Sequence, residues 1–282
     1  MGLQLTISAP TVCDMKPACP YCCSAEGRKR LPQPDWDAIR REVFWLHEKR
    51  GVTEAIFSYG EPTCDSNCME FAAELMAAGV PVFVQSHMMN PERFGKLDPY
   101  GPLTVGASYH PHLGEFGRWA YNFKRLVGCG YKVRNVTLVA WPEWFNEIPR
   151  MTAQVRELGA VVIVKPFWGQ CGGQRYPDAY TDTQKARLRA LAREQFGHSE
   201  IAFPSTGKFC RAGRDYAQMN HDGTVARCWD EWLSTGERGF ASEGFPLADD
   251  LEPCRADHCV CQDLWRYIEH NEPRKRESGD DQ

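Results

Sequence analysis

No apolar run in these 282 residues approaches the roughly 18 needed to span a bilayer, so no transmembrane helix is expected. There is no charged opening followed by an apolar core, so no secretory signal is expected. Met1-Gly2 with Thr6 fits the bare myristoylation pattern, but the same residues are needed for a first strand. An excess of basic charge is also missing. Against 33 Lys and Arg stand 37 Asp and Glu, a formal charge of −4, and nothing advertises a polyanionic partner. The local run Arg28-Lys29-Arg30 reads as a solvated loop. No tandem repeat occurs beyond an alternation of short strands and helices. The expected compartment is therefore a reducing cytoplasm.

Cysteine, by contrast, is abundant: 13 residues, in a chain too long to be a small secreted disulfide scaffold. One group, Cys13, Cys19, Cys22 and Cys23, opens the chain. A second, Cys210, Cys228, Cys254, Cys259 and Cys261, lies near its end, with Cys64, Cys68, Cys129 and Cys171 scattered between. In a reducing compartment such groups read as metal ligands. Five residues separate Cys13 from Cys19, and two separate Cys19 from Cys22. Three thiolates on one loop can hold three irons of a 4Fe–4S cube and leave the fourth open for chemistry. Cys23 is read as a bystander, since adjacent thiols rarely reach one cube. A zinc knuckle, or buried free thiols, is the competing reading of this loop.

Strands are expected at Leu3–Ser8, Thr53–Ser58, Val80–Gln85, Leu103–Tyr109, Lys132–Ala140 and Val161–Pro166. Helices are expected near Asp35–Arg50, Asn67–Ala78, Pro91–Lys96, Leu113–Val127, Glu143–Leu158 and Thr183–Phe196. Six such β-α units imply a parallel α/β sheet with right-handed crossovers, whose site lies at the carboxyl ends of the strands. The distinctive motifs fall at those ends: the cysteine loop, Tyr59-Gly60-Glu61-Pro62, Tyr109-His110-Pro111, and Lys165-Pro166 leading into the glycine-rich stretch 168–180.

The cysteine loop and Ser58-Tyr59-Gly60-Glu61-Pro62 together resemble the radical S-adenosylmethionine (radical SAM) superfamily. The usual signature has three residues between its first two cysteines, and Tyr59 replaces the usual first glycine of the Gly-Gly-Glu-Pro segment. The resemblance implies a partial (βα)6 TIM-like barrel over residues 1–198. Cys13, Cys19 and Cys22 would bind the cluster, whose free iron SAM would chelate. Gly60, Glu61, Pro62 and the neighbouring Tyr59 would receive the SAM amino group, and Tyr21 would lie near the adenine. Ser86 after the third strand, Ser108 at the ribose, and Arg134 or Lys165 at the carboxylate complete the expected cofactor contacts, placed by position and chemistry. Cluster potentials reach roughly −700 mV, low enough to put one electron into a sulfonium bond. Cleavage would give methionine and a 5′-deoxyadenosyl radical that removes a substrate hydrogen atom. Residues 168–180 are the candidate lid. His110 is a candidate substrate contact or acid–base group, and Cys171 a candidate hydrogen-atom donor, with an ordinary structural role as the alternative for each.

Toward the end, Cys210, Gly223 and Cys228 resemble the opening of the SPASM module or its shorter twitch form. Residues 199–268 would then form a small domain holding one auxiliary 4Fe–4S cluster. Its expected ligands are Cys210, Cys228, Cys259 and Cys261, with Cys254 as the alternate, and a tetrathiolate zinc as the competing reading. Residues 269–282 are charged and apolar-poor, and are expected to be disordered.

The function so implied is oxidation or rearrangement of a small metabolite, with flavodoxin or ferredoxin as electron donor. Modification of a peptide or nucleobase stays open. The chain begins almost at its first strand, which is expected to weigh against a peptide substrate. A non-catalytic iron–sulfur carrier or metal-dependent binding module is the alternative of another class. It explains the cysteines but not Gly60-Glu61-Pro62.

Overall fold

The computed structural model describes residues 2–9, 12–22, 33–97, 101–114, 116–197, 201 and 203–259. Cys23, Cys261, the basic run 28–30 and the tail 269–282 lie outside them. Six parallel strands carry the fold: β1 (Leu3–Ser8), β2 (Val52–Phe57), β3 (Val82–Ser86), β4 (Leu103–Ser108), β5 (Lys132–Ala140) and β6 (Val162–Pro166), adjacent in chain order. Between and after them run α1 (Trp36–Arg50), α2 (Ser66–Ala77), α3 (Phe116–Gly128), α4 (Ile148–Arg156) and α5 (Asp182–Phe196).

Alternation decides which way each strand faces. Leu3, Leu5 and Ile7 are fully buried, while Gln4, Thr6 and Ser8 keep partial exposure. The apolar set packs under the helices, each large side chain contributing about 1.5–3 kcal/mol. Helix α1 shows how local sequence sets the frame. The Asp35 carboxylate caps it by accepting the Ala38 N–H at 2.9 Å, and Gly51 closes it at φ +67. Its buried face is Trp36, Ala38, Ile39, Glu42, Val43 and Leu46.

Two expected helices are shortened. Gly114, at φ +64, ends a 3-10 turn at Pro111–Leu113, so α3 begins only at Phe116. The stretch after β5 first makes a 3-10 turn, Pro142–Glu147, before α4 starts at Ile148. Prolines at 111, 142 and 149 lack the N–H that a continuous helix would use.

The later chain returns to the barrel sheet. After a small hairpin, β7 (Gly169–Cys171) and β8 (Gln174–Tyr176), come β9 (Phe203–Pro204), β10 (Phe209–Cys210), β11 (Tyr216–Asn220), β12 (Val225–Ala226), helix α6 (Trp229–Thr235), β13 (Glu252–Pro253) and β14 (His258–Cys259). Strand β11 pairs in parallel with β1, from Gln4↔Tyr216 to Ser8↔Asn220, and β12 folds back on it. All five residues of β11 are buried, as suits a strand covered on both faces. The barrel sheet thus has eight strands, and its β1 edge is closed by the C-terminal segment. Gly223 makes the turn at φ +82; a Cβ there would stand 2.9 Å from the Ala38 Cβ. No helix of the described residues is long and apolar enough to cross a membrane.

Candidate metal and cofactor site

The residues on the inward face follow from register. Thr6 pairs with Gln218, Ser8 with Asn220, Gln85 with Gly106 and Ser108 with Thr137. Toward the carboxyl ends this concave face is therefore polar. Gln218 Nε2 donates to Ser8 Oγ at 2.6 Å, and Gln85 Nε2 to Ser108 Oγ at 2.8 Å. Lys165, paired with Val139, shares the face.

Over this mouth sits the loop after β1. Cys13 is exposed, Cys22 half-buried and Cys19 buried. The loop is laced to two neighbours. The Glu61 N–H donates to the Val12 carbonyl at 2.8 Å. Asp14 accepts hydrogen bonds from His87 Nε2 at 2.9 Å, Asn90 Nδ2 at 2.8 Å and Arg93 Nη1 at 2.8 Å. Burial alone would raise the Asp14 carboxyl, but His87 and Arg93, with the hydrogen bond to Cys64, hold it below its ordinary value. Asp14, His87, Asn90 and Arg93 were not found in the sequence, because nothing in spacing joins a residue beside Cys13 to the end of β3. The hint was a lone acidic residue inside a thiol loop.

Glu61 is 1% exposed and its carboxylate is spent internally: Thr63 Oγ1 donates to Oε1 at 2.6 Å and the His87 N–H to Oε2 at 2.8 Å. Its side chain shapes the turn and leaves backbone to meet a ligand. Tyr59 (φ +89) and Gly60 (φ +55) are both left-handed, which explains why a glycine suits position 59. The Tyr59 ring lies 5.8 Å from that of Trp229. Pro62 is buried and starts the following 3-10 turn.

Tyr21 is enclosed by His110 (5.8 Å, stacked), His112 (6.0 Å), Trp141 (5.7 Å) and Trp144 (6.0 Å). Its hydroxyl, raised by burial, lies 3.0 Å from His110 Nδ1, which is 3.4 Å from Cys19 Sγ. Desolvation, with His87 and His112 nearby, pushes the His110 imidazolium down to about 3. Its ring therefore favours the neutral form in this buried setting.

Three other expectations acquire a place in the fold. Arg134 lies at the opposite end of the barrel, bonded to Glu54 and, at 3.1 Å, to Thr104, with its guanidinium 4.6 Å from the Phe83 ring centre. It closes the floor and is remote from the mouth. Ser86 is 3% exposed and accepts the Met88 N–H at 3.0 Å, a turn-forming role. The glycine-rich stretch is an ordered hairpin, with Gly172 (φ +57) and Gly173 (φ +75) as its two turn residues. Tyr180 anchors its base, donating to the Ala140 carbonyl and accepting the Phe167 N–H at 3.0 Å. Cys171 is half-buried on this hairpin, its thiol raised by desolvation and by Glu143.

The donor set fits an iron–sulfur cluster. Desolvation pushes the Cys13 thiol up against a backbone hydrogen bond from Met15 that lowers it, and the Glu61 and Asp14 carboxylates push it up as well. A cationic metal core relieves that crowding. Among the described residues, Trp141 Nε1 and Trp168 Nε1 are buried donors without partners, at the ends of β5 and β6.

A second thiol group is more enclosed. Cys210, Cys228 and Cys254 are buried together, with Cys259 packed against them. The Ala212 N–H donates to Cys210 Sγ at 3.4 Å, and the Glu231 N–H to Cys228 Sγ at 3.3 Å as Cys228 caps α6. Burial raises the Cys210 thiol, opposed only in part by the Ala212 N–H and by buried Arg227. Arg227 bonds Glu252 at 2.8 Å, and its Nη2 has no partner among the described residues. Cys254, expected only as an alternate, belongs to this group.

A thiol loop and a left-handed Gly-Glu-Pro turn joined over the carboxyl ends of a partial barrel define an α/β metalloprotein with its site at the barrel mouth. Residues 7–110 match the radical SAM superfamily model, and the chain carries a radical SAM domain. That superfamily implies a 4Fe–4S cluster and SAM. The fold is similar to that of Streptococcus suis SuiB bound to S-adenosylmethionine, with a TM-score of 0.62 and 17% identity over 88% of this chain and 65% of SuiB. The chain thus spans just under two thirds of SuiB's length. It is also similar to anSMEcpe with bound AdoMet, with a TM-score of 0.60 and 14% identity over 82% of this chain and 74% of the other. No curated protein matches the sequence.

Proposed function

We propose that this chain is a radical SAM enzyme that takes a hydrogen atom from a small polar metabolite, leading to its oxidation or rearrangement. Cys13, Cys19 and Cys22 hold the cluster, and Tyr59, Gly60, Glu61 and Pro62 offer backbone to the SAM amino group. When bound, the cluster and SAM supply a 5′-deoxyadenosyl radical after one-electron reduction by a flavodoxin or ferredoxin. The chain's own residues do the rest. Tyr21 and its aromatic ring partners offer a flat, apolar wall to the adenine. Ser108 on the concave face suits a ribose hydroxyl, and Lys165 suits a carboxylate of SAM or substrate. The hairpin at 169–176 and Trp168 flank the mouth and limit water.

One observation carries the reading most. The Glu61 N–H bonds the Val12 carbonyl at 2.8 Å, so the thiol loop and the Gly-Glu-Pro turn share one site. The polarity of Ser8, Gln85, Ser108, Thr137, Gln218 and Asn220 supports a small polar substrate. A peptide is the second reading, supported by the fold likeness to SuiB, which has been seen bound to precursor peptide SuiA. Cys210, Cys228, Cys254 and Cys259 would hold an auxiliary 4Fe–4S cluster that accepts an electron from the substrate. Anaerobic reconstitution with SAM and dithionite tests the core of the proposal. 5′-Deoxyadenosine that disappears in Cys19→Ala supports it; intact SAM beside a stable cluster points to an electron carrier instead.

A further inference from the structure

Cys19, His110 and His112 each place one ligand atom within 4.8 Å of the other two. The Cys19 Sγ to His110 Nδ1 edge, 3.4 Å, already matches the spacing of about 3.3–3.7 Å that follows from tetrahedral Zn–S and Zn–N bonds. His112 is the informative member. Its Nε2 lies 3.1 Å from the Pro17 carbonyl, which can only accept, so Nε2 carries the proton. The lone pair then sits on Nδ1, a buried atom with no hydrogen-bond partner among the described residues. A ring fixed through one nitrogen by a backbone carbonyl, with the other nitrogen bare, is the usual arrangement of a metal-ligating histidine. The ring is also held by stacking on Trp144 at 6.0 Å.

The neighbouring trio Cys13, Asp14 and His87 makes a useful contrast, because it also meets the 4.8 Å spacing. There His87 Nδ1 accepts the Met89 N–H at 3.0 Å and Nε2 donates to Asp14 at 2.9 Å. Both nitrogens are used, so that trio has no bare imidazole nitrogen; in the first trio His112 Nδ1 is bare, and only the Tyr21 hydroxyl, 3.0 Å from His110 Nδ1, would have to turn aside for an ion.

We propose that Cys19, His110 and His112 form a mononuclear site for a borderline divalent cation, Zn2+ or Co2+, in the chain before its cluster is assembled. One thiolate and two imidazoles suit such an ion, and a water completes four-coordination. Because Cys19 cannot serve both centres, occupation of this site and assembly of the cluster exclude one another. Only that exclusion rests on the radical SAM reading; the binding of the ion does not.

The test is anaerobic cobalt titration of the full metal-free chain beside His112→Phe, which keeps an aromatic ring against Trp144 but removes both nitrogens. Both chains retain the C-terminal thiols, so their difference isolates this site. Wild type is expected to take up one more Co2+ per chain, with a tetrahedral difference spectrum containing a thiolate charge-transfer band. Cys13→Ala should keep that extra ion and Cys19→Ala should lose it. Reconstitution with iron and sulfide should extinguish the difference bands. Equal uptake by wild type and His112→Phe, or an extra ion lost in Cys13→Ala, overturns the site. Bands that persist beside an assembled N-terminal cluster overturn the exclusion. 5′-Deoxyadenosine formation is a separate signal, so failure of the enzymatic reading is told apart from failure of this one.

Discussion

In the first group Cys13 reaches solvent, Cys22 is half-buried and Cys19 is buried, whereas in the second Cys210, Cys228 and Cys254 expose 7%, 7% and 8% of their surfaces and Cys259 is half-buried. The first group stands on a loop whose own Asp14 is gripped by His87 and Arg93 from other segments. The second is set into short strands and a helix cap, with backbone N–H groups directed at two of its sulfurs. A loop held by side chains leaves one flank open to a ligand, and a site lined by backbone and buried thiols is closed. The difference is that between a centre suited to chemistry and one suited to holding or passing charge.

The largest test of that contrast is Cys19→Ala. It should abolish SAM cleavage and remove the N-terminal iron while leaving the C-terminal iron in place, as read by iron analysis and electron paramagnetic resonance. Next comes Cys254→Ala, which should lower total iron by about half if each region holds one cube. The SAM-dependent change in the remaining signal should persist, and its loss would mean that the two regions are one functional unit.

Asp14→Asn should weaken cluster binding by about 10–100-fold, the usual cost of a lost second contact around metal ligands, measured by chelator competition. The same carboxylate gives a pH test. Its folded value lies below the ordinary 3.8, so its stabilising contribution is complete above that pH and is lost as pH falls through the lower folded value. Asp14→Asn should therefore flatten the acid limb of a stability profile. The smallest effect is expected at the joint between regions. Tyr59→Gly relieves a left-handed backbone costing about 1–2 kcal/mol. It also loses a ring contact with Trp229 of about 0.5–1.5 kcal/mol, so thermal stability should change little. A double-mutant cycle with Trp229→Ala should recover the ring–ring energy.

The barrel was legible because its strands alternate or run apolar, and because glycines such as Gly51 close helices where the pattern ends. Cys13, Cys19, Cys22 and the Gly60-Glu61-Pro62 turn could be read because spacing and residue type encode them locally. Asp14 with His87, and His112 with Cys19, could not, since each pair joins through folding across more than 70 positions of sequence. Arg134 was misplaced for a simple reason. It belongs to a late strand, but to its early half, and the strand's nine residues carry the chain from floor to rim. Strand β11 was missed as a barrel member because five residues in parallel beside β1 leave no sequence signature of their partner.

That pairing has a practical consequence. A version trimmed at the apparent end of the barrel, near residue 198, would not shed an appendage. It would bare the hydrogen-bonding groups of β1 along one side and uncover the apolar underside of the first helix. An open strand of that kind is a template for joining other chains edge to edge. Strand β11 is thus a seam over an otherwise open edge, and any shortened form should be designed with a substitute for it.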